Sequence, residues 1–159
     1  MDSKQLPIIG WREWVSLPKL GIPSIKVKVA TGARSSAIHA TNIEQFEAHG
    51  IKKVRFNIAP VQSDDQRLIM VETELLEERA VTDSGGHQQL RPVVVTSICL
   101  GNLQWPIELT LTNRDVMGFR MLLGRKSVRD RFLINPSQSY LQSQNIAKER
   151  GTDLAEGDD

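Results

Sequence analysis

The chain has 159 residues, a length that predicts one domain, and its 40% hydrophobic content excludes a wholly disordered chain. The formal net charge is +1, so the chain lacks the large overall positive charge that is typical of nucleic-acid-binding proteins. A single cysteine excludes an intramolecular disulfide. The longest apolar runs are only a few residues, so neither a membrane span nor a signal peptide is predicted, and we expect a cytoplasmic protein.

The charge is unevenly distributed along the chain. Residues 148–159 hold two basic and five acidic groups, a net charge of −3, which leaves +4 for the remainder. Because this segment lacks periodic apolar residues, we predict a disordered acidic tail over residues 148–159 and one folded domain over residues 1–147.

Alternating apolar residues in the first half of the domain predict β-strands. Apolar and polar residues alternate over residues 25–29 and 53–58, which indicates two half-buried strands. The tripeptide Ala48-His49-Gly50 is typical of a tight turn joining two strands. Residues 68–81 fit another strand, although residues 72–79 would also fit a helix.

The second half of the domain continues the β pattern. The turn signal at residues 83–86 predicts the tip of a long hairpin over residues 75–100. Residues 107–112 alternate as a strand, and a buried run over residues 121–123 ends at Gly124. Ser127 can cap a short helix through Phe132, because its hydroxyl can accept from an early helical N–H. The pattern favours an all-β barrel or sandwich with one short helix.

Several common catalytic motifs are absent from the sequence. It contains neither the HExxH zinc motif nor the GxSxG elbow, and no histidine spacing supports a metal site. Residues 118–127 read GFRMLLGRKS, which departs from a phosphate-binding loop because the glycine spacing is one residue too long and Arg125 precedes Lys126. Cys99 lies in an apolar run, which is typical of a core thiol.

One segment combines a strand with a glycine turn: residues 26–40 read KVKVATGARSSAIHA. A glycine-rich hairpin and the run MLLGR at residues 121–125 follow it, an order that resembles retroviral-type aspartic proteases. With residues 9–18, 91–94 and 109–114, the chain is similar over residues 8–140 to a bacterial retropepsin-like family, the RimB-like proteins. That family was once labelled as ATP-dependent zinc proteases and is associated with RimK-type glutamate ligases.

This resemblance implies a retropepsin-like acid-protease barrel with a flap hairpin, and an aspartic-type peptidase (a hydrolase) without a cofactor. The residues support neither the zinc nor the ATP of the old label. Aspartic proteolysis needs two carboxylates that share a proton and act as the acid and base on a water molecule. Because a chain this short supplies one such turn, the resemblance implies a homodimer.

The chain departs from the family at the catalytic position. The family's strand ends Asp-Thr-Gly-Ala, whereas this chain has Ala30, Thr31, Gly32 and Ala33. A methyl group cannot activate water, so we expect the chain to be inactive as a peptidase. We favour an introduced inactivating substitution, because it is the minimal change that removes catalysis and the rest of the loop is kept. The alternative is a natural pseudoprotease that binds acidic peptides without cleaving them.

Positive charge near these motifs predicts an acidic substrate, because guanidinium pairs with carboxylates through two parallel hydrogen bonds. The link to glutamate ligases implies poly-glutamate tails, such as those added to a ribosomal protein. Neither a membrane nor direct nucleic-acid binding is expected, and an RNA-associated role is the weakest alternative. The residues expected to contact substrate are Lys28, Arg34, Ser35, Gly85, Gly86, His87, Arg91 and Arg125, with Arg114 adding charge. The alternative for the arginines and His87 is a solvent-exposed position, and for Arg125 it is also an ion pair that stabilises the fold or the dimer.

Three further residues are interpreted as structural. His39 follows Ile38 on a predicted strand, so we expect a hydrogen-bonded or interface histidine, with substrate contact as the alternative. Trp11 and Trp14 are expected in the core or in dimer packing, because indole rings bury a large area.

Overall fold

The computed structural model describes residues 5–61, 64, 66–82, 85–114 and 118–149. The all-β prediction is confirmed, with three sheets and two short α-helices in this part of the chain. The strands are β1 Ile8–Gly10, β2 Arg12–Leu17, β3 Ile22–Ala30, β4 Ser36–His39, β5 Thr41–Ala48, β6 Ile51–Ile58, β7 Ile69–Glu74, β8 Glu77–Thr82, β9 Gln88–Leu100, β10 Leu103–Thr112, β11 Met121–Gly124 and β12 Leu133–Asn135. The helices are a 3-10 turn at Pro18–Leu20, α1 Arg125–Val128 and α2 Gln144–Glu149.

The main sheet has the strand order β10-β4-β11-β3-β2-β9-β8. Strand β10 also pairs with β9, so the pairings return to their starting strand and form a closed circuit, with β8 attached at the edge of β9. The inward side chains of this circuit form one apolar core, which extends under the separate β5-β6-β7 sheet. Its largest fully buried apolar residues include Phe56, Ile25, Ile98 and Leu109.

Strand β11 lies between β3 and β4, which are consecutive in the sequence. It runs parallel to β3, with Gly124 in register with Ala30, and antiparallel to β4. The loop between β3 and β4, residues 31–35, therefore passes next to the end of β11. This insertion places the turn at Thr31, Gly32 and Ala33, called the TGA turn below, against the start of α1, because α1 follows β11 directly.

Two predicted turns are found where the sequence indicates them. His49 and Gly50 join β5 to β6 with φ values of 54° and 78°, both in the left-handed region that a two-residue hairpin requires. Strands β8 and β9 form the predicted flap hairpin, and Gly86 near its tip has φ 84°. Residues 83 and 84 of the predicted turn lie outside the described residues.

The single strand predicted over residues 68–81 is wrong, and so is its helical alternative. The segment forms two strands, β7 paired with β6 and β8 paired with β9. Between them the Leu75 N–H donates to the Lys52 carbonyl and the Leu76 N–H donates to the Val93 carbonyl. The chain crosses from one sheet to another at these two residues, and local alternation does not report such a crossing.

The helix predicted from Ser127 to Phe132 is also wrong in its position. Helix α1 spans Arg125–Val128, and the Ser127 hydroxyl lies 2.6 Å from the Ser36 hydroxyl instead of capping a helix. The second helix, α2, was not predicted and extends to Glu149, the second residue of the predicted acidic tail. Residues 150–159 lie outside the described part of the chain, so the disordered tail stays a prediction.

Two burial predictions are wrong. Lys26 is 4% exposed, although its place in the alternating strand predicts an outward side chain, and its ammonium lies 5.7 Å from the centre of the Phe119 ring. Cys99 is half-buried and is not a core thiol. Ile98 and Leu100 face the core, so Cys99 between them faces outward, opposite Ser16 of β2. No helix in the described segments is long and apolar enough to cross a membrane.

A buried carboxylate joins the two ends of the described chain. Glu13 in β2 is fully buried, and its oxygens accept hydrogen bonds from the N–H groups of Gly10 (2.7 Å), Leu141 (2.8 Å) and Gln142 (3.1 Å). The Ser143 hydroxyl donates a fourth bond at 2.7 Å. These bonds hold residues 141–143 against β1 and β2, since a buried charge is tolerated when its hydrogen bonds are satisfied.

We expect Glu13→Gln to lower the free energy of unfolding by about 2–3 kcal/mol, because the amide places an N–H₂ group against donors that need an acceptor. Urea unfolding at neutral pH measures the change. Glu47→Gln, on the exposed face of β5, is the matched control and should change stability by less than about 0.5 kcal/mol. Equal effects of the two substitutions would contradict this role for Glu13.

Candidate active-site cleft

A cleft of about 1310 Å³ opens between the loop after β3, the flap hairpin and the ends of β10 and β11. It brings together most of the residues that the sequence singled out, from three separate segments of the chain. Of the predicted set, those lining it are Lys28, Ala30, Thr31, Gly32, Arg34, Ser35, Gly85, His87, Arg91 and Arg114.

Two predicted residues do not line the cleft. Gly86 lies beside Gly85 near the flap tip, where its left-handed backbone serves the turn. Arg125 lies outside the cleft, and its Nη1 donates to the carbonyl oxygens of Thr31 (3.4 Å) and Gly32 (3.3 Å). The Arg125 guanidinium thus contacts the backbone of the turn.

The end of β11 supports the loop after β3 through backbone contacts. A Cβ atom on Gly124 would lie 2.5 Å from the Ser35 carbonyl oxygen and 2.9 Å from that of Arg34. The Arg125 N–H donates to the Ala33 carbonyl at 2.8 Å, and the Lys126 N–H donates to the Arg34 carbonyl at 3.2 Å. Only glycine permits this approach, and the first N–H groups of α1 find their acceptors in the loop.

A pair of buried hydroxyls supports the same junction. The Ser36 hydroxyl at the start of β4 accepts a hydrogen bond from the Gly124 N–H at 3.0 Å and bonds the Ser127 hydroxyl at 2.6 Å. Ser36 is 1% exposed and Ser127 is 8% exposed, so water does not compete for these bonds. The loop is therefore fixed at both ends.

The position of the expected catalytic carboxylate lies at the end of β3. Ala30 is half-buried and its carbonyl accepts from the Ala33 N–H at 3.1 Å, which closes the turn. Thr31 and Gly32 are exposed, and a Cβ built on Gly32 would meet nothing within 4 Å. The tip of the turn thus faces open space in a single chain. None of the described residues that line the cleft is Asp or Glu.

The cleft is strongly basic. Six of its described lining residues are lysine or arginine, and no acidic residue accompanies them there. Lys28, Arg34 and Lys126 form no ion pair with any other described residue. Like charges gathered in a concave surface concentrate a positive potential, which favours an anionic ligand.

Arg79 is a cleft cation with local acidic partners. Its guanidinium lies 2.7 Å from Glu77 Oε2 and 2.9 Å from Glu108 Oε1, and these hydrogen bonds raise its pKa above the usual value. It stands opposite Arg91 across the flap hairpin. Because like charges directly opposite each other destabilise a hairpin, the two carboxylates offset the repulsion.

The guanidinium of Arg91 is held in place by the side chain of Gln89. Gln89 Oε1 accepts from Arg91 Nε at 2.8 Å and from the Thr112 hydroxyl at 3.3 Å. Arg91 Nη1 also lies 3.5 Å from the Thr110 hydroxyl. These contacts orient Arg91 at the base of the flap, where it lines the cleft.

Sequence reasoning missed Arg79, Lys126 and Thr112, which also line the cleft. A signal for Arg79 was available, because a hairpin with its tip near Gly85 places Arg79 opposite Arg91. Lys126 follows Arg125 directly but lines the cleft in its place, since α1 begins at Arg125. Thr112 gave no signal beyond its place at the end of an alternating strand.

The remaining singled-out residues take packing positions. His39 Nδ1 lies 3.1 Å from Arg120 Nη1, as expected of a hydrogen-bonded histidine. Trp14 is buried with Tyr140 and Ala147, whereas Trp11 is half-buried, with its ring edge-on to Phe119 at 6.0 Å. Within the described ranges, no three His, Cys, Asp or Glu side chains come together as a metal site.

Comparison with known proteins identifies the family. A model of the RimB-like family, described as retropepsin-like aspartic endopeptidase RimB, matches residues 8–145. The chain belongs to this family. The TGA turn and the flap hairpin lie within the matched residues and line the basic cleft, and Ala30 is at the position where the resemblance places the catalytic aspartate.

Curated relatives carry a similar sequence within longer proteins. A probable alpha-L-glutamate ligase of Shewanella pealeana is 43% identical over 133 residues, which are 84% of this chain and 29% of that protein. One from Desulfotalea psychrophila is 44% identical over 130 residues, 82% of this chain and 28% of that protein. The chain therefore spans less than a third of these relatives.

A solved structure has a similar fold. It is the crystal structure of a Legionella pneumophila protein of unknown function, assigned to DUF785, with a TM-score of 0.69 and 28% identity. The match covers 87% of this chain and 99% of that chain. The fold of this chain therefore matches nearly the whole chain of the Legionella structure.

We expect Gly124→Ala to lower the free energy of unfolding by about 1–3 kcal/mol, because the new methyl group would displace the backbone of residues 34 and 35. Thermal unfolding of the purified chain measures the change. Gly32→Ala is the control in the same turn, and it should be nearly neutral because open space surrounds that position. A neutral Gly124→Ala would show that β11 does not constrain the loop.

Proposed function

We propose that the cleft binds acidic, glutamate-rich peptides, and that a homodimer cleaves them when residue 30 is aspartate. With Ala30 the chain binds these peptides without cleaving them. The observation that carries the proposal is the charge of the cleft, with six lysine and arginine side chains and no carboxylate among the described residues that line it. Three of these cations, Lys28, Arg34 and Lys126, form no ion pair with another described residue. Cations grouped in one groove suit a ligand with a carboxylate on successive residues.

The relatives support the choice of glutamate. The proteins from Shewanella and Desulfotalea are named probable alpha-L-glutamate ligases, and each carries a segment like this chain within a much longer protein. Joining α-L-glutamate to a chain adds one carboxylate with every residue. A peptidase domain and a ligase domain in one polypeptide would then act on the same acidic tail, one adding residues and the other removing them.

The expected mechanism uses two copies of the turn after β3. Residues 31 and 32 are exposed in a single chain, so a two-fold partner can approach them and bring the second position 30 close to the first. Two aspartates there would share a proton, with one activating water and the other protonating the leaving amine. The flap residues Gly85 and His87 would cover the substrate and exclude bulk water.

A natural pseudoprotease is the second candidate, and the alanine at position 30 is the observation that favours it. The basic cleft, the Gly124 contact and the Ser36–Ser127 pair do not depend on a carboxylate at position 30. Such a protein would bind acidic tails without cleaving them. It would remain inactive as a peptidase even with aspartate at position 30. Restoring the carboxylate distinguishes the two candidates.

We expect Ala30→Asp to produce cleavage of an oligo-glutamate peptide, detected by mass spectrometry, with none from the unchanged chain. Activity per chain should rise with protein concentration, since each dyad needs two chains. Ala30→Asn is the matched control, because it has a similar size and cannot act as a base. Binding without cleavage by Ala30→Asp would support the pseudoprotease, and the absence of both would overturn the proposed substrate.

We expect Arg34→Gln to weaken binding of a labelled oligo-glutamate peptide about 3–10-fold, because it removes one exposed guanidinium from the cleft. Fluorescence anisotropy at low salt measures this affinity. Added salt should reduce the difference in affinity between the variant and the unchanged chain, because it screens the charge. Lys19→Gln removes an exposed cation that does not line the cleft and should leave the affinity unchanged. Equal losses from both substitutions would indicate general charge attraction.

A further inference from the structure

A second groove lies between α1 and β10, next to the cleft. Its volume is about 350 Å³, and it shares the side chains of Ser35, Arg79 and Lys126 with the cleft. The two cavities are therefore neighbours with these three residues between them.

The groove continues the positive charge of the cleft. Four basic residues line it, Arg79, Lys126, Arg129 and Arg131, together with Glu108 and Asp130. Glu108 is paired with Arg79 at 2.9 Å, which leaves three cations and one carboxylate. Neither Lys126 nor Arg129 forms an ion pair with another described residue, and both are exposed. The groove thus has an excess of positive charge available to a ligand.

The floor of the groove is rigid. Trp105 is 6% exposed, its indole Nε1 donates to the Ser127 carbonyl at 2.9 Å, and its ring packs against Phe132 with 5.5 Å between centres. The Arg131 guanidinium lies 5.5 Å from the centre of the Trp105 ring. A guanidinium stacked on an aromatic ring keeps its in-plane N–H donors, so Arg131 can still pair with a carboxylate.

We propose that this groove binds the part of an acidic peptide that extends out of the cleft, with Arg129 and Arg131 pairing with its carboxylates. This inference rests on the proposed function, because the same peptide occupies both cavities. Lys126 lines both and lies along the path of the chain. The groove would make the domain selective for long acidic tails over short ones.

Peptide length provides the test. An extended peptide covers about 3.4 Å per residue, so a tetra-glutamate of about 14 Å can lie within the cleft, whereas a dodeca-glutamate of about 40 Å reaches beyond it. The double variant Arg129→Gln/Arg131→Gln should weaken binding of labelled dodeca-glutamate about 5-fold and leave tetra-glutamate within about 2-fold. The backbone N–H bonds of both residues, to the Arg125 and Val128 carbonyls, do not need their side chains.

Two reference variants separate the outcomes. Lys19→Gln/Lys52→Gln removes two exposed cations outside both cavities and should change neither affinity, and Arg34→Gln should weaken both peptides. If the Arg129/Arg131 variant loses equal affinity for the two peptide lengths, or loses none for either, the groove proposal is wrong and the cleft proposal is unaffected. If Arg34→Gln has no effect on either peptide, the proposed function fails and the groove proposal fails with it. Thermal unfolding of each variant verifies that the fold is retained.

Discussion

The turn after β3 can occupy its position only because residue 124 has no side chain. A Cβ atom at Gly124 would lie 2.5 Å from the Ser35 carbonyl oxygen, so β11 could not run beside the loop with any other residue there. The same glycine is in register with Ala30, and its N–H donates to Ser36. One close backbone contact therefore fixes the expected catalytic position, the loop that carries Arg34 and the start of α1.

The fixed loop explains how a small domain can hold so many like charges in one cleft. Arg34 and Lys126 project from backbones that are hydrogen-bonded to each other, and Arg91 is oriented by Gln89. Their mutual repulsion costs stability, which the apolar core and the buried Glu13 network offset elsewhere. An acidic ligand of the proposed kind would relieve that repulsion, and this relief would add to the free energy of binding because the cations are already in position.

Sequence patterns predicted what is local and missed what depends on long-range packing. The alternation of Ile25, Val27 and Val29 and the His49-Gly50 turn are set by neighbouring residues, and both are found as strand and hairpin. The crossing between sheets at Leu75 and the burial of Lys26 depend on segments distant in the sequence. In the cleft, the TGA turn and the flap could be predicted because glycine residues mark both turns. Predicting that Arg79 lines the cleft requires the register of the hairpin, and predicting Lys126 requires the residue at which α1 begins.

An aspartate at position 30 would change more than the supply of a proton donor and acceptor. An aspartate dyad that shares one proton carries a negative charge at the centre of the cleft, where it would oppose an acidic substrate. With Ala30 the described lining has no such charge, so the same cations would act on an acidic peptide without competition from a carboxylate. If the cleft binds glutamate tails, loss of the carboxylate therefore removes catalysis and strengthens binding together. In that case residue 30 alone would separate a peptidase, which must release its product, from a module that retains its ligand.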